Sequence, residues 1–206
     1  MVAVLASSCG GASRSEPARA ERPHDFDPLP ATIAAAFGPQ PPRTLAAAPF
    51  QRSVVTLIGL GGRVTASTFE RFDATLTLHG DEPTRLDADL EVDSLAGNLP
   101  RTVAALRSRS SLHADRHPTI SFRSFTVEAR DDGAFVIRGA LTLLGKTHTV
   151  SVPVSLGWER DAVTVEARVP IDRTDWVLGV SGKHAEVFDQ RAELMVRLVF
   201  PLAEGI

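Results

Sequence analysis

Between His117 and Leu156 the chain reads HPTISFRSFTVEARDDGAFVIRGALTLLGKTHTVSVPVSL, and over long parts of it every second residue is apolar. Successive side chains of a strand point to opposite faces, so a period of two marks strands buried on one side. Phe135, Ile137, Leu141 and Leu143 share one parity, and Val150, Val152, Val154 and Leu156 share another after the turn. Asp131-Asp132-Gly133 and Gly145-Lys146 supply the turn chemistry that antiparallel neighbours need. The stretch therefore reads as a three-strand meander with one dry face.

The same parity extends in both directions. Val54 to Leu60 is a first strand of ambiguous facing. Phe69 to His79 sets Phe72, Ala74, Leu76 and Leu78 against Arg71, Asp73, Thr75 and Thr77. From Arg85 to Asp93, Leu86, Ala88, Leu90 and Val92 alternate with Asp87, Asp89, Glu91 and Asp93. Together with Thr119 to Glu128, Ala134 to Leu144, Thr147 to Trp158, Val163 to Ile171 and Ala192 to Phe200, this predicts about eight strands, a number at which an antiparallel sheet closes into a barrel. A two-sheet sandwich gives the same alternation and stays open on this ground alone. Two inserts interrupt the strands. In GNLPRTVAALRSRSSLHADRHP, Asn98 can cap a helix that places Leu99, Val103 and Leu106 on one face and Arg101, Arg107 and Arg109 on the other. The second insert, DRTDWVLGVSGKHAEVFDQ, lies before the last strand, and either one can cover an end of a barrel.

At 206 residues the chain can bury one core and carry a tail. A net charge of -3 gives no footing for nucleic acid, and a single cysteine excludes a disulfide framework. No run approaches the roughly 18 apolar residues of a membrane helix. That cysteine lies in Ala6-Ser7-Ser8-Cys9-Gly10-Gly11 after a short apolar run, which resembles the end of a bacterial lipoprotein signal peptide. Residues 1–9 are then a partial signal with Cys9 as the lipidation point, and 10–52, rich in Ala, Pro and Arg, a disordered tether. The folded domain spans 53–201 and leaves a tail at 202–206. On this reading the protein sits in the cell envelope, periplasmic or otherwise outside the cytoplasm.

Four stretches in order carry a family resemblance: GRVTASTF, LDADLEVDSLAGNLPRTVAALRSRSSLHADRHPTISFRS, IRGALTLLGKTHTVSVPV and VPIDRTDWVLG. They resemble the YceI-like family of bacterial periplasmic and secreted proteins. The most specific pieces are His117-Pro118-Thr119-Ile120-Ser121-Phe122-Arg123-Ser124, and Gly139-Ala140-Leu141-Thr142-Leu143 followed by Gly145-Lys146-Thr147. The resemblance implies an all-β, eight-stranded antiparallel, lipocalin-like barrel, with a helical insert covering one end and a polyisoprenoid or other long-chain amphiphile inside. Two departures stand out. Phe50-Gln51-Arg52-Ser53 replaces a tyrosine-bearing opening strand, and Val177-Leu178 stands where a glycine usually follows the aromatic residue.

If the apolar parities face inward, Ala74, Ala88, Gly139 and Ala167 leave unfilled volume among larger side chains. The expected ligand contacts are Phe72, Leu76, Leu90, Phe122, Phe135, Leu141, Val152 and Val165, with Arg101 and Arg107 meeting a polar head. Signals for catalysis are weaker. His113, Asp115 and His117 would align as metal ligands if their segment were extended, but only His117 belongs to the family-like motif, and a loop of solvated polar residues is the preferred reading. The row Asp87, Asp89, Glu91, Asp93 reads as the wet face of a strand. No Gly-rich phosphate loop, G-x-S-x-G elbow or recognisable triad is present. The expectation is a non-catalytic carrier of an isoprenoid or similar lipid, with no cofactor and no metal. An envelope interaction module using its charged outer rows, or a metal-dependent enzyme, are the alternatives, and a homodimer is left open.

Overall fold

A computed structural model describes residues 41–60, 64–176 and 191–202. The described residues form eleven strands: β1 (Arg43–Ala46), β2 (Val54–Leu60), β3 (Val64–Phe69), β4 (Phe72–His79), β5 (Glu82–Glu91), β6 (Leu95–Ala96), β7 (Thr119–Ala129), β8 (Phe135–Leu143), β9 (Lys146–Trp158), β10 (Ala162–Asp172) and β11 (Arg191–Pro201). A helix, α1 (Pro100–Arg107), sits between β6 and β7, and a single helical turn, α2 (Arg173–Trp176), follows β10. All strands join one antiparallel sheet in the order β1-β4-β5-β7-β8-β9-β10-β11-β2-β3-β6, curled into a half-barrel.

The curl follows from two chain segments that bend rather than stop. The chain runs from β3 through Glu70-Arg71 into β4, and from β5 through a 3-10 turn at Val92–Ser94 into β6. Phe69 of β3 pairs with Leu95 of β6, while Phe72 of β4 pairs with Leu90 of β5. The same two segments thus appear near both margins of the sheet, and a flat sheet cannot do that. Parity predicts eight of these strands and misses three: β3 and β6, which lie beyond the bends at the ends of the runs Phe69 to His79 and Arg85 to Asp93, and β1. β1 lies within the residues whose composition suggests a tether. It forms because Leu45 can lie opposite Leu76 on the free edge of β4.

Parity translates directly into burial. In β4, Ala74, Leu76 and Leu78 are buried and Asp73, Thr75 and His79 exposed. In β9, Val152 and Val154 are buried between exposed Ser151, Pro153 and Ser155. A bulge in β7 interrupts the pattern between Ser124 and Thr126, turning Phe125 outward at 62% exposure. After it the inward parity passes from Ile120 and Phe122 to Val127, as one extra residue requires.

α1 differs from its expected form. Its N-cap is Leu99, with Pro100 opening the first turn and no capping side chain, so Asn98 does not cap it. A proline at the first helical position has no N–H to leave unpaired, which removes one reason for a cap. Leu99 is half exposed and stays off the buried face, which consists of Val103 and Leu106.

Candidate functional site

The inward side chains of β2, β4, β5 and β7 to β11 enclose a cavity of about 70 Å³ without a polar side chain in its lining. Small residues create it. Ala74 of β4 lies directly opposite Ala88 of β5, and Ala167 lies opposite Val154 on one side and Val196 on the other. Larger side chains at these positions would meet in the middle. A second hollow of about 40 Å³ shares Ile120 and Leu194 with the first and ends against Leu106 and Leu112 of the helical insert. Ile120 and Leu194 stand between the two hollows, and the insert covers the far end of the second, which Thr65 and Ser111 also line.

Gly139 does not contribute empty space. A Cβ built there would fall 2.6 Å from Cε2 and Cζ of Phe122 and 2.6 Å from the Arg123 carbonyl oxygen. The ring of Phe122 already lies over the glycine, so the vacancy expected from its lack of a side chain is filled by a neighbour.

Six expected contacts line the cavity: Phe72, Leu90, Phe122, Leu141, Val152 and Val165. Leu76 is buried in the core and Phe135 packs half-buried against it, but neither lines the cavity. Their parity is right; each lies too far along its strand. Parity reasoning did not single out Val55, Val169, Leu194, Val196 and Leu198, which also line it. The alternation of Ala192, Leu194, Val196 and Leu198 was available as a signal for β11, whereas the nearly unbroken apolar run of β2 hides its facing.

The two helix arginines stand apart from the lining. Arg101 is exposed on α1. Arg107 is partly buried, donates from Nη2 to the Leu95 carbonyl oxygen, and has a buried Nε without a partner among the described residues. It fastens the helix to β6.

The segment holding His113, Asp115 and His117 is not extended. Successive turns fold it, with the amides of both Arg116 and His117 donating to the His113 carbonyl oxygen. His113 and His117 meet edge to face with centroids 5.9 Å apart, Asp115 is exposed, and no cluster of three metal-capable side chains forms among the described residues. On the outer face, arginines meet the acidic row. Arg123 Nη2 donates to Asp89 Oδ2 at 2.6 Å, Arg85 Nε to Asp87 at 2.7 Å, and Arg71 donates to Glu91 and Asp93 at 2.6 Å each. Hydrogen bonds to Glu91 and Asp89 respectively hold the Arg71 and Arg123 guanidiniums above arginine's ordinary value, against a smaller opposing effect of burial. Of the second insert, α2 buries Trp176 edge-on against His148 of β9 at 4.9 Å. Residues 177–190 lie outside the described residues, as do Cys9, the 10–40 part of the expected tether and most of the C-terminal tail.

Residues 48–200 match the family model described as the YceI-like domain. The chain belongs to the YceI-like domain family. Solved structures agree with this at the level of fold. BcnA of Burkholderia cenocepacia superposes with a TM-score of 0.66 at 20% identity, covering 71% of this chain and 95% of the other. The Campylobacter jejuni YceI protein gives 0.61 at 16% identity, covering 67% and 85%. A polyisoprenoid binding domain from Saccharophagus degradans, implicated in plant cell wall breakdown, gives 0.61 at 8% identity, covering 77% and 99%. A comparison with curated proteins returned no match. The match begins just after β1.

Proposed function

We propose that this YceI-like domain is a non-catalytic carrier holding an isoprenoid or other long-chain lipid inside an eight-stave, lipocalin-like barrel. In this reading β3 with β4 and β5 with β6 are single bent staves. Closure is helped by Ala47, whose amide donates to the Ala74 carbonyl oxygen at 2.8 Å, and by Ala48, whose amide donates to that of Val199 at 2.7 Å. The observation that carries the proposal is the wholly apolar cavity, with a second small hollow between it and α1. Every CH2 that leaves water there gains about 0.8 kcal/mol, and nothing in the lining would hold a polar or charged substrate. The Saccharophagus degradans domain, described as polyisoprenoid binding, supports the same ligand class.

At about 70 Å³ the cavity is smaller than the roughly 300–1,000 Å³ of ordinary ligand sites. A chain must therefore displace side chains as it enters, and the short residues Ala74, Ala88 and Ala167 are where a slender chain passes. Phe72, Leu90, Phe122, Leu141, Val152 and Val165 would touch it. Of the two helix arginines, Arg101 has a guanidinium free for a ligand head, whereas Arg107 is committed to β6. The outer acidic row is already engaged by arginines, which weakens the alternative of a charged docking face. Cys9 lipidation with residues 10–42 as tether would place the carrier at the envelope, and an acylated Cys9 in the membrane fraction is the mark of it.

Organic extraction of the purified protein followed by mass spectrometry tests the carrier reading. A stoichiometric long-chain lipid is the expected result. An empty barrel that also takes up no polyprenol from vesicles would refute it.

A further inference from the structure

The ladder between β9 and β10 is short. It spans Val154 to Trp158 of β9 and Val163 to Ala167 of β10. Among the described residues, β9 from Lys146 to Pro153 pairs only with β8, and β10 from Arg168 to Asp172 pairs only with β11. Continuing the register would set Pro153 opposite Arg168 and Pro170 opposite Ser151. A proline has no N–H to give a ladder, which is why prolines belong at edges and breaks. The pairing stops where the first of them arrives.

Two hollows meet at this stop. Inside, Val152, Val154, Ala167 and Val169 line the apolar cavity. Outside, a groove of about 590 Å³ is lined by Pro153, Ser155, Ala167 and Arg168, with half-exposed Met195 as an apolar patch. Ala167 of β10 and its partner Val196 of β11 belong to both, and at Ala167 the side chain in the wall is a single methyl group. The outer lip also carries a free cation. Glu166 pairs with Arg197 at 3.5 Å, whereas exposed Arg168 has no ion-pair partner among the described residues.

We infer that the β9–β10 seam is a lateral portal through which a long apolar chain enters the cavity, and that Arg168 at its outer lip meets an anionic head such as a phosphate. The inference rests on the carrier reading. A cavity this small must widen to admit a chain, and parting the wall below Val154 and Ala167 breaks no rung, whereas β8–β9 and β10–β11 are paired along the same stretch. A guanidinium fork suits a phosphate.

The test staples the seam in the full chain with Cys9→Ser. Pro153 and Arg168, both exposed, are the first positions past the last rung, so Pro153→Cys with Arg168→Cys closes the mouth of the seam itself. Arg138→Cys with Ser151→Cys, also paired and exposed, staples the other side of β9 as a control. Disulfide formation is verified by thiol titration, and transfer of radiolabelled geranylgeraniol from phosphatidylcholine vesicles is timed. Oxidation should slow uptake at least tenfold in the seam staple, reversibly on reduction, and leave the control unchanged. Equal rates before and after oxidation, or equal slowing by both staples, would overturn the portal. Arg168→Gln should weaken geranylgeranyl phosphate about tenfold while sparing geranylgeraniol, and a parallel change for both would remove Arg168 from the proposal. If neither the wild-type chain nor the reduced variants take up geranylgeraniol at all, it is the carrier reading that fails, and the portal falls with it.

Discussion

Gly139→Ala tests whether the interior is shaped by contact rather than by parity alone. The added methyl carbon would lie 2.6 Å from two ring atoms of Phe122 and from the Arg123 carbonyl oxygen, where carbon contacts are comfortable at about 3.5–4.0 Å. The shortfall of roughly 1 Å can be relieved on only one side. The ring of Phe122 lines the cavity and can swing into it, but the carbonyl belongs to β7, which is held by β5 through Asp87–Arg123 and by β8 through Ser124–Gly139. Overpacking of this kind costs about 1–3 kcal/mol. Alanine also restricts the unfolded chain, which offsets about 0.4–1 kcal/mol. The net expectation is a loss of about 1–2 kcal/mol, or a drop in Tm of roughly 2–8 °C for a domain of this size. Urea unfolding followed by circular dichroism, with calorimetry for Tm, measures both. A variant within about 0.5 kcal/mol of the parent, or more stable, would refute the claim that Phe122 and the β7 backbone occupy the space over the glycine. Phe122→Leu combined with Gly139→Ala then apportions the effect. If the ring is the main obstacle, the second substitution costs little once the ring is gone, and if the carbonyl is, the cost persists.

Val152→Phe places a ring into the cavity; apo stability should fall by less than about 1 kcal/mol, where a filled core would lose roughly 1–3 kcal/mol, while lipid uptake drops and Ser151→Phe on the outer face leaves uptake unchanged. Ser53→Ala removes the buried hydroxyl that accepts the Val199 amide at 2.9 Å, and the orphaned N–H should cost about 1–3 kcal/mol by chemical denaturation. Arg123→Met deletes the Asp89 pair and the bonds to the Ala88 and Phe122 carbonyl oxygens; because both charged partners are more than a third exposed, the loss should be only about 0.5–1 kcal/mol and should shrink in high salt. With the Arg123 pKa raised, its contribution is fully present below arginine's ordinary range and is lost only as pH rises beyond it, so stability profiles of parent and variant should run parallel from neutral pH to moderately alkaline pH.

Parity made the inner faces of β4, β5, β8 and β9 legible because burial on one face of a strand is a local constraint, written in every second residue. The bends were not legible. Glu70-Arg71 and Val92–Ser94 are ordinary polar and apolar residues whose role appears only when Phe69 meets Leu95 and Phe72 meets Leu90 across the sheet. Parity also reports which way a residue points and not how deep along the strand it sits, which is why Leu76 and Phe135 point inward without reaching the cavity. Gly139 marks the same limit from the other side: a missing side chain in sequence becomes space in structure only if no neighbour leans into it, and Phe122 does.

The two strand prolines were the one readable mark of the seam. In VSVPVSL and in ARVPID a proline interrupts a run whose apolar alternation is otherwise unbroken, so the two strands keep their inward face while losing a donor at corresponding places along their shared border. A sheet built only for stability would pair that border throughout. Here the pairing stops beside Ala167, which lines both the cavity and the outer groove. The consequence is a wall of apolar side chains, buried at Val152 and Val154 and partly buried at Ala167 and Val169, with incomplete hydrogen bonding along one line. Such a line can part without exposing a broken ladder and close again by apolar contact, as a carrier for an apolar chain requires.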